Sequence, residues 1–145
     1  MNITDHHVHT EFSGDCSIPM EVIINRAAQL GLKEVMFTDH VDFDYPSVDR
    51  YFEVDYKKYI KALEKFRVQY KEMDILMGIE VGYQSGLNGR INQLLNSYDF
   101  DFVICSIHAW NEAELDKGDL FNGRSQEEGY RAYFENLKYT GPFSS

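Results

Sequence analysis

The chain has 145 residues, 43% of them apolar, which is the size of one ordinary domain with enough hydrophobic content for a core and excludes a disordered composition. Its net charge of −10 argues against nucleic acid as a bulk electrostatic partner, because no basic surface is available to neutralise phosphates; a phosphorylated small molecule stays admissible where a metal supplies positive charge. Cys16 and Cys105 show no C-x-x-C spacing, "MNITDHHVHT" has no basic leader, and no segment reaches ~18 consecutive apolar residues, so a cytoplasmic chain with reduced thiols, no signal peptide and no membrane span is expected.

In chain order, short apolar runs alternate with longer helical stretches. "NITDHHVH" is the first strand-like run. "IPMEVIINRAAQLG" follows, with Pro19 near its start and Gly31 just past its end, an asymmetry that predicts a helix. "EVMFTDH" is a β-branched and aromatic run ending in polar residues. In "DYKKYIKALEKFRVQYKE" the positions Tyr56, Tyr59, Ile60, Leu63, Phe66 and Tyr70 fall on one helical face. "DILMGIEVGY" is the third strand-like run, and a loop with Gly86 and Gly89 leads to the short helical "RINQLLNSY". "FDFVICSIHAW" is the fourth, and "SQEEGYRAYFENLKY" opens with a capping-box pattern, Ser125 to Glu128, and lines up Tyr130, Tyr133, Phe134 and Leu137. Successive strand–helix units predict an α/β fold with a parallel sheet, strands buried on both faces and helices packed outside.

Polar residues gather at the C-terminal end of each strand-like run: His7 and His9, then Asp39 and His40, then Glu80, then His108. In parallel α/β folds that end is where chemistry is built. His7 and His9 lie at i and i+2, so they share one strand face and can share a metal. Packing alone gives little reason for such a pair, since protonation of either ring repels the other. Glu80, inside the apolar "GIEVGY", is costly to bury unless paired or ligated. Asp15, in the loop "FSGDCS", can join them, and a donor set of His, Asp and Glu without cysteine suits Zn, Mn or Fe. Each residue alone has a plainer role. A lone His40 or His108 is more often a hydrogen-bonded core histidine, Glu80 a salt-bridge partner and Asp15 a turn residue beside Gly14. His6 alternates away from His7 and His9, as packing or as a support behind the ligands. Joint placement at four strand ends decides for a metal.

"DHHVHTEFSGD", "FTDHVDF", "GIEVGYQ" and "SIHAW" resemble, in order, the motifs of the PHP (polymerase and histidinol phosphatase) superfamily, most closely its monofunctional histidinol-phosphate phosphatase branch. The resemblance implies a parallel (β/α)7 barrel, here cut to about four βα units, with residues 1–139 the N-terminal portion of the PHP domain and 140–145 a tail unlike the family. Carried over by motif, His7 and His9 hold a first metal, Glu80 bridges first and second, His108 binds the second, and Asp15 and His40 bind a third. Catalysis falls to Glu80 and His9, and Asp39 orients a ligand or caps its strand. Two to three divalent ions around one water would provide hydroxide near neutral pH and offset the charge on the phosphoryl oxygens. The implied reaction is hydrolysis of L-histidinol phosphate to L-histidinol and phosphate, in histidine biosynthesis. The family's later ligands, a histidine on a following strand and then an aspartate and a histidine, have no counterpart, since no histidine follows His108. Truncation to an incomplete part is therefore expected, with association of a half-barrel to cover its open sheet edges as a second explanation. The competing functions are a PHP-type phosphoesterase for another substrate, such as a nucleotide, and a non-catalytic metal-binding remnant.

Overall fold

A computed structural model describes residues 3–47 and 49–138; the expected tail at 140–145 lies outside them. The elements are β1 Thr4–Val8, α1 Met20–Leu30, β2 Glu34–Phe37, β3 His40–Val41, α2 Tyr56–Gln69, β4 Asp74–Gly82, α3 Asn88–Leu95, β5 Phe102–Ser106, the short β6 Ala109–Trp110 and β7 Ala113–Glu114, and α4 Gln126–Leu137. β1 pairs with β2 and β2 with β4, all parallel. β3 pairs with β4 at His40↔Glu80, and β5 pairs with the opposite edge of β4 at Ile104↔Glu80. β2 and β3 are thus one strand lane, interrupted at Thr38 and Asp39. Four parallel lanes result, in the order β1, β2/β3, β4, β5, as four βα units require. The layout agrees with the four βα units expected of a shortened parallel barrel.

Local chemistry sets the helix limits. Gly31 closes α1 in the left-handed region at φ 73°, where its N–H reaches the carbonyls of Ala27 and Ala28. Asp55 caps α2 by accepting from Lys58 N at 3.2 Å. Ser125 and Glu128 close a capping box on α4. One core packs Ile24, Tyr59, Leu63 and Phe66 of α1 and α2 onto Phe37 and Ile75. A second packs Ile91 of α3 onto Val41, Ile79 and Val81. These two cores fix the sheet from the helix side and leave its strand ends to the site.

Two expectations need correction. Burial on both faces holds for the central β4, but β1 is exposed from Thr4 to His7 and β5 is only half-buried. Among the described residues each of these outer strands is paired along one edge only. The run "FVICSIHAW" is also not one strand: it stops at Ser106, and Ala109–Trp110 turns back on Ala113–Glu114 as a hairpin. Asn111 and Glu112 carry that turn at φ 49° and 62°, as the mirror-image turns of two-residue hairpins demand. α4 lies against the turn at Asp119–Phe121, with Tyr130 48% and Phe134 57% exposed, so its apolar stripe covers no sheet face among the described residues. Among the described residues no helix is long and apolar enough to cross a membrane.

Candidate metal centre

The register of β1 against β2 slips by one residue between Asp5↔Val35 and Val8↔Phe37. Such a bulge re-aims side chains, and here it brings His7 and His9 together toward β4. Glu80 stands at the centre, 4% exposed. Its Oε2 lies 2.7 Å from His7 Nε2, 3.0 Å from His9 Nε2 and 3.7 Å from His40 Nε2. Its Oε1 lies 3.1 Å from His108 Nε2 and accepts from Ser106 Oγ at 2.7 Å. Four imidazoles therefore crowd one carboxylate. Their ring centroids are 5.0 Å apart for His7–His9, 4.4 Å for His9–His40 and 4.6 Å for His40–His108. Asp15 completes the group, its Oδ2 3.2 Å from His9 Nδ1 and 3.4 Å from His40 Nε2.

All six residues named from the sequence are thus brought together. Three overlapping groups have donor atoms within 4.8 Å of one another: His7, His9 and Glu80; His9, Asp15 and His40; His40, Glu80 and His108. The donors are nitrogen and oxygen, the set that suits Zn, Mn or Fe. The Nδ1 of His40 and the Oδ2 of Asp42 are buried and form an ion-pair contact at 3.2 Å, so the Nε2 of His40 is the nitrogen turned toward Glu80 and Asp15.

Asp42 is the residue that sequence reasoning missed. It is 5% exposed, and its Oδ1 lies 2.8 Å from His108 Nδ1 while its Oδ2 faces His40. It therefore orients two imidazoles whose Nε2 atoms face Glu80, the carboxylate–histidine arrangement that fixes ring tautomer and basicity. The signal was its i+2 spacing from His40 in "HVD". Gly82 makes room for it: a Cβ there would meet Asp42 Oδ1 at 1.8 Å. Ser13 supports the other side, donating to Asp15 Oδ1 at 2.5 Å and accepting from His40 N at 3.2 Å. Asp39 is buried and accepts from Thr10 N at 2.6 Å and from Thr10 Oγ1 at 3.0 Å, so it holds the chain just beyond His9. His6 turns to Glu34, at 2.5 Å from its Oε1.

The electrostatics follow from this crowding. Burial works against the Glu80 charge, but hydrogen bonds from His108, His9, Ser106 and His7 outweigh it and hold the carboxyl far below the ordinary range. Burial likewise opposes a charged His108, yet Asp42 and Glu80 raise it to about 9. The hydrogen bond to Glu80 raises His9 against its burial. Burial of Asp42 is outweighed by His108 and His40, which lower it. Burial pushes Asp39 up to about 6, against the hydrogen bonds from Thr10 and the smaller effects of His9 and Tyr59.

Fold and site together define a class: a parallel α/β protein whose strand C-termini present a nest of imidazoles and carboxylates suited to several cations. The PHP domain family model matches residues 5–142, and the chain belongs to this family. It is 31% identical over 135 residues to the histidinol-phosphatase of Lactococcus lactis, covering 92% of this chain and 49% of that protein. It is 29% identical over 135 residues to a probable histidinol-phosphatase of Clostridium acetobutylicum, covering 93% of this chain and 51% of that one. The crystal structure of the Lactococcus lactis histidinol phosphate phosphatase complexed with Zn, L-histidinol and phosphate superposes with a TM-score of 0.84 at 31% identity, over 90% of this chain and 49% of that one. The chain spans about half the length of the curated relatives it matches.

Proposed function

We propose that this chain carries the metal-binding half of a phosphomonoester hydrolase that converts L-histidinol phosphate and water to L-histidinol and phosphate, in histidine biosynthesis. The observation that carries this reading is Glu80, buried among the Nε2 atoms of His7, His9 and His108 at the strand ends. Its support is the fold shared with a phosphatase crystallised with Zn, L-histidinol and phosphate. Residues 1–139 form the N-terminal portion of the PHP domain in this reading. A cytoplasmic location rests on cysteine usage alone.

The roles follow the three groups. His7 and His9 with Glu80 would hold one ion, His108 with Glu80 a second, and Asp15 with His40 a third, each imidazole nitrogen serving one ion. Glu80 and His9 would stand at the reacting centre. When bound, the ions supply a water of lowered pKa and positive charge for the phosphoryl oxygens. Asp42 holds the His40 and His108 rings in line, Ser106 fixes one oxygen of Glu80, and Ser13 fixes Asp15. Asp39, through Thr10, holds the segment that follows His9.

Elemental analysis of the zinc-loaded chain is the first test. Up to three ions per chain are expected. Fewer than about one tightly held ion selects the non-catalytic remnant instead. Phosphate release from L-histidinol phosphate is then measured on the zinc-loaded chain, alone and mixed with the C-terminal half of the Lactococcus lactis enzyme. Release that depends on Glu80 is expected. Release from nucleotides but not from this ester assigns another substrate.

A further inference from the structure

A cavity of about 390 Å³ opens beside the nest, with Asp15, His40 and His108 on its lining together with Arg50, Asp116 and Phe52. Among the described residues that line it, Arg50 is the one lysine or arginine. It comes from the loop between β3 and α2, and Asp116 comes from the turn after β7, so two segments far apart in sequence meet across the opening.

We propose that Arg50 is the anion contact of this cavity, with its guanidinium receiving the phosphoryl group of an ester seated against the nest. The proposal rests on the phosphatase reading and adds to it a residue that neither the motifs nor the metal groups contain. Arg50 Nη1 donates to Asp116 Oδ2 at 2.5 Å, and Tyr45 Oη donates to Asp116 Oδ1 at 3.3 Å. Among the described residues Asp116 engages Nη1 alone, so the planar fork keeps further N–H donors for a second partner. Phosphoryl oxygens match that fork, and charge-assisted bonds to them are among the stronger hydrogen bonds.

Charge gives the reason such a residue is needed. The rest of the lining includes the carboxylates Asp15, Asp42 and Asp116, in a chain of net charge −10. A phosphate dianion in the cavity faces these carboxylates as well as the nest, and Arg50 is the lysine or arginine there to offset them among the described residues. Stability alone is a weak reason for the Arg50–Asp116 pair. Its side chains are 36% and 45% exposed, and ion pairs so exposed add little. As a restraint, Asp116 keeps the guanidinium at the cavity, at the cost of one negative charge facing any anion.

The test uses the zinc-loaded chain with inorganic phosphate as probe, followed by isothermal titration and ³¹P NMR. Arg50→Gln is expected to weaken phosphate binding by at least about tenfold with zinc content unchanged, and Arg50→Lys to restore part of it as a point charge. Asp116→Asn separates contact from scaffolding. It breaks the same ion pair but removes a negative charge, so phosphate binding is expected to strengthen. Equal losses in Arg50→Gln and Asp116→Asn overturn the contact, because the pair then only props the two segments. Unchanged binding in Arg50→Gln, or zinc uptake without phosphate binding by the parent chain, also overturns it and leaves the metal centre standing. Failure to take up zinc overturns the phosphatase reading itself, and the role of Arg50 with it.

Discussion

Glu80 and Asp42 divide the nest: one lies against the Nε2 atoms of the imidazoles, the other against the Nδ1 atoms of His40 and His108. Glu80→Gln keeps the shape but removes the charge shared by two of the three groups. Asp42→Asn leaves every ligand in place and disturbs only the orientation of His40 and His108. Loss of an orienting carboxylate costs about ten- to a hundredfold in metal affinity, so Asp42→Asn is expected in that range and Glu80→Gln beyond it. Competition with a chromophoric chelator measures both, and parent-like zinc affinity in Asp42→Asn removes the orienting role. His108 gives a pH signature. Burial opposes its charge, but Asp42 and Glu80 raise it to about 9, so in the metal-free chain the ring keeps a proton well above neutrality. A metal must displace that proton, so zinc affinity rises with pH up to about 9, by as much as about tenfold per pH unit for each proton released. A histidine of ordinary pKa would give no slope above about pH 7.5, and a flat profile there refutes the strong coupling of His108 to its carboxylates. The residues of the nest were legible because strand periodicity and position at a strand end are sequence properties. Asp42 carries only its i+2 spacing from His40, and an acid in "HVDFDYP" looks like a loop residue until His108, far along the chain, arrives beside it. Ser13, Ser106 and Thr10 carry no charge and no periodic signal, and their partners exist only in the folded chain.

At the scale of elements, β4 is the rail on which the site is mounted, and its sequence satisfies two demands at once. Its side chains are buried nearly throughout, which fits an apolar central strand, yet it carries Glu80 on the site face and Gly82 two residues on. The glycine is there for space, because a Cβ would lie 1.8 Å from Asp42 Oδ1. Gly82→Ala is therefore expected to displace Asp42, to lower stability by about 1–3 kcal/mol as overpacking does, and to weaken zinc binding in the manner of Asp42→Asn. Gly89→Ala is the matched control: it lies in α3, a Cβ there meets nothing within 4 Å, and helix propensity favours alanine by about 0.5–1 kcal/mol. Denaturant melts of the two variants should move in opposite directions, and equal shifts would discard the close-approach argument. Helices α1 and α2 and the four strand lanes were readable because capping residues and apolar spacing are local. The β1 bulge, the break between β2 and β3 and the hairpin after β5 were not, because each is set by what the neighbouring lane does rather than by its own residues.

For the molecule as a whole, the ligands come from positions 7 to 108, so the unfolded chain cannot present them together and the folded chain can. Folding brings imidazoles against one another and places carboxylates in a chain already at −10, while β1 and β5 each leave one sheet edge unpaired among the described residues. Without cations the nest is held by protons on its histidines, an arrangement that weakens as pH rises and the rings lose them. With cations the same groups would become a cross-link between β1, β3, β4 and the segment after β5. A ligand that binds only the folded state stabilises by about 2.7 kcal/mol per site at a hundred times its Kd. For a chain of this size that corresponds to a rise in Tm of roughly 5–10 °C for one filled site, and more if further sites fill. Zinc should produce this rise at neutral pH and a chelator should reverse it. Magnesium should do neither at equal concentration, because it prefers oxygen donors and four of the six candidate ligands are imidazoles. The effect should vanish in Glu80→Gln, which keeps the fold's apolar cores but not the bridging charge. A zinc-independent Tm in the parent chain would mean that the nest, however well its donors converge, holds no metal.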